Sequence, residues 1–175
     1  MQSQEHSSKR RWPGVIATFK GSLGIAAALL YWDVAYEGFY GFSLLICPLW
    51  FLISLVKNII QRPGWAIALL RVSMPLLTVA IAFGNGKFQW KVSDANAQRV
   101  VKACEEFRAV NGRHPSKLGE LVPNYLTSVP PAKHCMTGVF HYYNSDGHCT
   151  LWWSRYGFYR RSYDFDEKRW SSRDM

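Results

Sequence analysis

The first half of the sequence contains very little negative charge. Only three of the twelve acidic residues, Glu5, Asp33 and Glu37, precede Lys87, together with seven of the 21 lysines and arginines. The other nine acids (12 − 3) and fourteen bases (21 − 7) lie from Lys87 onward. A water-exposed surface is normally much richer in charge, so we predict an apolar membrane half followed by a polar, soluble half.

The sequence also lacks a recognisable catalytic pattern. It contains no serine nucleophile elbow, no phosphate-binding loop and no pair of carboxylates with supporting context. These absences disfavour hydrolytic, acyl-transfer and nucleotide-dependent chemistry. We therefore predict a protein that is not an enzyme and that uses no cofactor.

Candidate metal ligands are few and poorly spaced. The pairs His134–Cys135 and His148–Cys149 lack the spacing of a standard zinc site, and neighbouring residues of a strand point to opposite faces. Three acids cluster near the C-terminus: Asp164, Asp166 and Glu167. That number of carboxylates is more typical of a solvated turn than of a calcium site, so we predict no bound metal.

Three long apolar runs fill the first half. They cover about residues 14–32, 38–56 and 65–84. Each is close to the roughly 20 residues that a helix needs to cross a bilayer. We predict a basic N-terminus at residues 1–12, a membrane domain with three spans at 13–86, and a soluble domain at 87–175.

The positive charges near these runs predict an orientation. Lysine and arginine precede the first run and lie between the second and third, at Lys57 and Arg62, whereas Asp33 and Glu37 follow the first. Because basic loops stay in the cytoplasm, we predict a cytoplasmic N-terminus and a C-terminal domain on the other side. In a bacterium this is a multi-pass inner-membrane protein with a periplasmic domain.

The soluble half begins with the pattern of an amphipathic helix. Apolar residues recur at three- and four-residue spacing: Ala97, Val100, Val101, Cys104, Phe107 and Val110. Ser93 or Asp94 is a suitable cap for its start, and Gly112 fits its end. It follows the third apolar run after the short polar stretch NGKFQWKV (85–92), which would make one long stem.

A short helix near Pro115 and several aromatic strands follow. The segments 138–143 and 148–153 flank the turn sequence NSDG and predict a hairpin, and a third strand is expected within 157–166, before a turn and Trp170. The fold class expected for the soluble half is α+β, with one long helix packed on an antiparallel meander of three or four strands.

The stretch 93–165 resembles the periplasmic domain of the major pseudopilins of type II secretion, a type IV pilin-like family. The shared features are the stem helix ending near Phe107, Asn-Gly-x-x-Pro at 111–115, Leu-x-x-Leu-x-Pro at 118–123 and the aromatic meander. The resemblance implies a pseudopilin-like fold. The three-span region does not match the family: the pilin-like sequence at Gly41 is followed by Ile46 where the family has glutamate.

Three cysteines lie in the soluble half. Cys135 and Cys149 flank the first strand of the predicted hairpin, and a disulfide between them would tether a small exported domain. Pairing of Cys104 with either of them is the alternative, because connectivity does not follow from sequence. Cys47 lies in the second apolar run and is expected to be a small apolar residue.

Aromatic and basic residues are dense near the C-terminus. The candidate binding face consists of Trp152, Trp153, Arg155, Tyr156, Tyr159, Arg160, Arg161 and Trp170. Tryptophan, tyrosine and arginine dominate protein–protein hot spots, so a protein partner is expected, although the same residues suit an aromatic and basic belt on membrane lipids. A nucleic acid is not expected as a partner outside the cytoplasm.

Two functions follow from these observations. The first is a non-enzymatic membrane protein with a periplasmic binding domain, in its concrete form an immunity protein against a toxin that acts on the membrane or in the periplasm. The alternative, motivated by the resemblance, is an accessory or minor pseudopilin-like component of a type II secretion or type IV pilus system.

Overall fold

The computed structural model describes residues 11–36, 41–136, 138–145, 148–156 and 159–174. Three α-helices come first, followed by a short 3-10 helix and four β-strands. The helices are α1 (Arg11–Ala35), α2 (Gly41–Gln61) and α3 (Trp65–Asn111), and the 3-10 helix is Leu118–Leu121. The strands are β1 (His141–Ser145), β2 (His148–Tyr156), β3 (Tyr159–Asp164) and β4 (Arg169–Asp174).

The chain divides into two compact units, which are described separately. The first unit contains α1 up to Val34, all of α2, and α3 up to Asn85. The second unit contains Ala35 and the chain from Gly86 onward. The described part of the chain therefore has the predicted combination of three helices with a helix-plus-sheet α+β arrangement.

In the first unit, small and polar side chains are buried while large apolar side chains are exposed. The buried positions are Ser22, Ala26, Asp33, Ser43, Cys47, Ser54, Pro75, Thr78 and Ala82. The most exposed large side chains on α2 and on the part of α3 within this unit are Leu45, Leu49, Ile59, Ile60, Trp65 and Leu69, each at 60% exposure or more. The helices thus approach one another through small residues.

Polar contacts also join helices within this unit. The side-chain amide of Asn58 donates to the carbonyl of Ala68 at 3.0 Å, and Arg71 donates to the amide oxygen of Asn58 at 3.5 Å. The side-chain amide of Asn85 donates to the carboxylate of Asp33 at 3.4 Å. These bonds connect α2 to α3 near their shared turn, and α1 to α3 at Asp33.

Within the described residues, two helices are long and apolar enough to cross a membrane, α2 and α3. This is fewer than the three spans predicted from sequence, since α1, which contains the predicted span 14–32, is not among them. Several side chains in its first turns, at residues 11–15, 17 and 18, lie outside the described residues, so the predicted span is described only in part. The two long helices are weak support for membrane association.

Helix α3 runs without a break from Trp65 to Asn111. The polar stretch 85–92 is helical, so the predicted helix start at Ser93 is wrong: Ser93 is buried and its hydroxyl donates to the carbonyl of Trp90 at 2.9 Å. The predicted end is confirmed. Gly112 has φ +71°, which glycine adopts without strain, and its N–H donates to the carbonyl of Arg108 at 2.8 Å.

The four strands form one antiparallel meander in the order β1-β2-β3-β4. The predicted hairpin is present, with Ser145 paired to His148, although β1 begins at His141 instead of residue 138. The first two residues of the predicted turn belong to β1, and Asp146 and Gly147 lie outside the described residues. β4 is the fourth strand that the sequence left open.

The core of the second unit lies between α3 and the inner face of this sheet. The main cluster consists of Val100, Ala103, Cys104 and Phe107 from α3, Leu121, and Cys149, Leu151, Tyr163 and Phe165 from the sheet region. A smaller cluster joins Ala97, Ala132 and Trp153. The stripe predicted from helical spacing is therefore the face that α3 buries, except for Val110, which is 75% exposed at the helix end.

Two amides of α3 hold the loop that precedes β1. Gln89 forms a paired contact with the backbone of His134: the side-chain oxygen accepts from the N–H at 3.0 Å, and the side-chain nitrogen donates to the carbonyl at 3.5 Å. Asn96, two turns further along, donates to the carbonyl of Pro131 at 2.9 Å. These bonds satisfy backbone groups that a packed loop would otherwise leave without partners.

Candidate binding face

The outer face of the sheet is defined by strand alternation. In β2, Cys149, Leu151 and Trp153 are buried towards α3, so Thr150 and Trp152 point to the opposite side. The register then places His141, Ser162 and Ser171 in the same cross-strand row as Trp152. We call this opposite side, away from α3, the outer face.

Three side chains of the outer face stack on one another. The rings of His141 and Trp152 are 4.0 Å apart between centroids, with an angle of 15° between their planes. The guanidinium carbon of Arg160 lies 4.1 Å from the centre of the Trp152 ring. Because β1 and β3 flank β2 on opposite sides, the indole is held between the imidazole and the guanidinium. We call His141, Trp152 and Arg160 the stack.

The stack combines a positive charge with aromatic rings and lies next to two hydroxyl groups. The cation–π contact orients the Arg160 charge over the indole, and the stacked imidazole covers the ring from the other strand. Beside it, the hydroxyls of Ser162 and Ser171 form a hydrogen bond of 2.8 Å. The surface therefore carries a positive charge oriented over the indole, with two hydroxyl groups next to it.

The structure divides the predicted binding face between the two sides of the sheet. Trp153 is only 1% exposed, and its ring makes edge contacts with Phe140 at 5.4 Å and Trp170 at 5.8 Å. Its assignment to a binding face is therefore corrected: Trp153 is a core residue. Trp170 is half-buried, and it packs on both core clusters and on Tyr163, so it supports the core as well.

The remaining predicted residues lie in different places. Arg161 points towards α3, where it pairs with the carboxylate of Asp94 at 3.3 Å and contacts the Trp170 ring. Tyr159, on the same side of β3 as Arg161, is 51% exposed. The side chains of Arg155 and Tyr156 lie outside the described residues. Only Trp152 and Arg160 are thus placed on the outer face.

Sequence reasoning missed three residues of this face, His141, Ser162 and Ser171. The signal that identifies His141 is the register, because it is the direct cross-strand partner of Trp152. The position of the turn fixes such pairs in a hairpin, so a correct prediction of the end pair Ser145–His148 would also have predicted this contact. Placing Ser162 and Ser171 on this face also requires the register of β3 with β4, which no turn sequence fixes.

Cys104, Cys135 and Cys149 are thiols in this structure, and the positions of Cys135 and Cys149 do not favour the predicted bond between them. The two residues lie at different ends of the core. Cys135 follows His134, which Gln89 binds, whereas Cys149 packs with Cys104 and Phe107. Fifteen helical residues separate Gln89 from Cys104, which is about 22 Å along the helix axis and far beyond the reach of a disulfide.

The environment of Cys149 disfavours reactivity. Its thiol donates to the hydroxyl of Tyr142 at 3.0 Å, and that hydroxyl donates to the carbonyl of Pro115 at 2.8 Å. Burial raises the pKa of the Cys149 thiol to about 11, even though the bond to Tyr142 lowers it. A nucleophilic cysteine needs a lowered pKa, so this thiol is suited to packing.

A surface cavity of about 500 Å³ lies between the end of α3 and the turn after β3. It is lined by Glu105, Arg108, Ala109, Gly112, Asp166 and Lys168, so it carries charges of both signs. Asp164 is engaged within the turn, where its carboxylate accepts the N–H groups of Asp166 and Glu167. The described residues contain no group of three or more side chains placed to hold a metal ion.

Comparison with known proteins identified no relative of this chain. The resemblance to the major pseudopilins rests on the stem helix, the short motifs after it and the meander, and these features stay an expectation from sequence. A scan against protein-family models, a search of curated proteins and a search of solved structures each found no match to this chain.

Proposed function

We propose that this chain is a membrane-anchored, non-enzymatic binding protein that engages a protein partner through the outer face of its sheet. The observation that carries the proposal is the stack of His141, Trp152 and Arg160. It concentrates an aromatic ring and a fixed positive charge on the side of the sheet that α3 does not cover. Tryptophan and arginine together are the most frequent energetic anchors of protein interfaces.

The exposure pattern of the first unit supports a membrane anchor. Leu52 and Ile60 are 57% and 74% exposed, while Ser43 and Ser54 are 1% and 4% exposed. In water such a pattern would present a broad apolar surface. In a bilayer it is favourable, because small residues let helices pack closely and large ones contact lipid. We propose that α1 completes a three-helix membrane domain with α2 and α3.

The proposed orientation follows from the charges. The basic residues before α1 and the pair Lys57 and Arg62 between α2 and α3 are expected in the cytoplasm. The second unit then lies in the periplasm of a bacterial inner membrane. There its basic residues can also contact anionic lipid headgroups.

The specific function that we favour is immunity against a toxin that acts on the membrane or in the periplasm. Such a protein needs an anchor at the site of attack and a surface that captures the toxin, and it needs no chemistry of its own. The positive charge of Arg160 on the outer face favours an acidic surface on that toxin.

Affinity capture from detergent-solubilised membranes tests the binding face. The variant Trp152→Ala removes the centre of the stack, and we expect it to weaken retention of the captured partner at least about tenfold, as for a hot-spot residue. The matched control is Tyr159→Ala, which removes another half-exposed aromatic ring from the other side of the sheet. Equal retention by the wild type and Trp152→Ala would refute the assignment of the face.

A pseudopilin-like accessory role is the second candidate. It is favoured by the order of elements in the second unit, where the end of α3 leads through a short 3-10 helix into an antiparallel meander. The same capture experiment separates the two functions. Recovery of secretion or pilus components without a toxin would refute immunity, and protection of cells from the product of a neighbouring toxin gene would support it.

A further inference from the structure

We propose that Cys104 and Cys149 form an intramolecular disulfide that covalently joins α3 to β2 when the second unit folds outside the cytoplasm. The inference rests on the proposed periplasmic location, since disulfides persist in oxidising compartments. In the structure both residues are thiols, which is the reduced form of the same pair.

The two cysteines occupy one buried cluster. Cys104 is 0% exposed on α3 and Cys149 is 2% exposed at the start of β2, and both belong to the core cluster that also contains Val100 and Leu151. Cys149 faces α3 because it alternates with Thr150 on a strand whose next inner residues, Leu151 and Trp153, are also buried. Both side chains thus point into the interface between the helix and the sheet.

The lengths of the two elements between their shared clusters agree with a position of Cys104 near Cys149. Ala97 of α3 and Trp153 of β2 share one cluster and give a common origin. From Ala97 to Cys104 the helix rises about 10 Å over seven residues. From Trp153 back to Cys149 the strand spans about 13 Å over four residues. The two lengths agree to about 3 Å.

A second contact fixes the other end of this alignment. The N–H of Phe165 donates to the carbonyl of Cys149 at 3.0 Å, and the Phe165 ring lies 5.0 Å from the ring of His114, just beyond the end of α3. Cys149 therefore lies level with the last turns of α3, where Cys104 and Phe107 are found. Small side chains that face each other in this way suit the short spacing of a disulfide.

The oxidation step needs an external disulfide as oxidant, of the class provided by thiol–disulfide exchange proteins. One cysteine thiolate attacks the oxidant's disulfide and forms a mixed disulfide, and the second thiolate then displaces the oxidant. Two thiols lose two electrons and two protons, and the oxidant leaves as a dithiol. Among the described hydrogen bonds, the one from Cys149 to Tyr142 is lost, while Tyr142 still donates to the carbonyl of Pro115.

The burial of both thiols determines when the disulfide can form. Burial and the neighbouring thiol raise the pKa of Cys104 to about 12, and burial raises that of Cys149 to about 11. The thiolate is the attacking form, so a domain that has already folded reduced would oxidise very slowly. The bond is therefore expected to form while the second unit is folding, and it is then shielded from reductants.

Thiol counting on the full-length protein tests the inference. Cells are quenched in acid, and the chain is denatured and labelled with a maleimide before and after reduction, with mass spectrometry to locate the label. We expect label on Cys47 and Cys135 before reduction and on all four cysteines after it. Label on Cys104 and Cys149 before reduction would overturn the inference.

Two variants sharpen the test. Cys104→Ala should expose Cys149 to labelling without reduction, whereas the matched control Cys135→Ala should leave Cys104 and Cys149 unlabelled. A periplasm-active reporter fused after Met175 separates the two proposals. An active reporter with four labelled cysteines refutes the disulfide alone, and an inactive reporter refutes the periplasmic location and the disulfide together.

Discussion

The two units of this chain bury opposite kinds of side chain. In the first, Ser43 and Cys47 are 1% and 2% exposed, while Leu52 in the same helix is 57% exposed. In the second, Trp153 and Leu151 are 1% and 0% exposed and polar or charged side chains occupy much of the surface. The same amino-acid types are thus sorted in opposite directions within one chain.

This difference is what we expect if lipid surrounds the first unit, as proposed above, and water surrounds the second. Water drives apolar area inward, as the aromatic core of the second unit shows. Between helices in lipid this force is absent, and close contact of small residues and hydrogen bonds hold the helices together. Helix α3 takes part in both patterns, because the boundary between the units at Asn85 falls inside it.

The largest effect should come from the neighbouring tryptophans of β2. We expect Trp153→Ala to destabilise the second unit by roughly 3–5 kcal/mol, because it removes a buried ring that joins α3 to the sheet. Trp152→Ala should cost about 1 kcal/mol, since it loses only a stacked pair and a cation–π contact. Denaturant unfolding of the purified protein in detergent measures both. Equal losses would contradict the assignment of one ring to the core and the other to the outer face.

A lysine substitution at the centre of α2 tests whether lipid or water surrounds the helices of the first unit. Leu52→Lys should reduce membrane insertion by about 3 kcal/mol if lipid surrounds this helix. The same change on a helix exposed to water typically alters stability by less than about 0.5 kcal/mol. The amount of full-length protein in the membrane fraction measures the effect, with Leu52→Ala as the control that keeps the position apolar. Normal accumulation of the lysine variant would contradict a membrane helix.

A smaller effect is expected from pH in the second unit. Burial and the positive charge of Arg108 lower the pKa of His114 below its usual 6.5, while Glu105 and Asp166 raise it slightly. Arg108 donates to Nε2 of His114 at 3.2 Å, which requires the neutral ring. The unfolded chain then takes up a proton more readily, so this contribution to stability is complete above about pH 6.5 and falls as the pH drops below it.

The variant His114→Gln keeps an acceptor for Arg108 and removes the titration. We expect its unfolding midpoint to vary less between pH 5 and about pH 7 than that of the wild type. His134→Gln, at an exposed ring, controls for the loss of one imidazole. An unchanged slope in His114→Gln would show that other groups cause the pH dependence.

Much of the second unit could be predicted from sequence because its patterns are local. Helical spacing identified Val100, Cys104 and Phe107 as one buried stripe, and Gly112 ends the helix as expected. The strand pattern and turn chemistry identified the hairpin. These features depend on residues a few positions apart, where backbone geometry leaves few alternatives.

The errors concern long-range relations. Ser93 resembles a helix cap, yet helix propagation from the preceding residues continues through it. Trp152 and Trp153 are chemically identical, and only the register of β2 against its neighbours decides which ring enters the core. The order of cysteines along the chain favoured Cys135 as the partner of Cys149, and only the fold shows that Cys104 is the cysteine that shares a buried cluster with Cys149.

The amide clamp on the loop before β1 has a consequence for how this protein can diversify. Gln89 binds the backbone of His134 and Asn96 the backbone of Pro131, so substitutions at position 134 leave the first clamp intact. Gly138 does not tolerate substitution in this way, because the Cβ of any other residue would collide with the carbonyl of Lys133. The side chain at residue 134 can thus vary while contacts between α3 and the loop backbone hold the path of the loop.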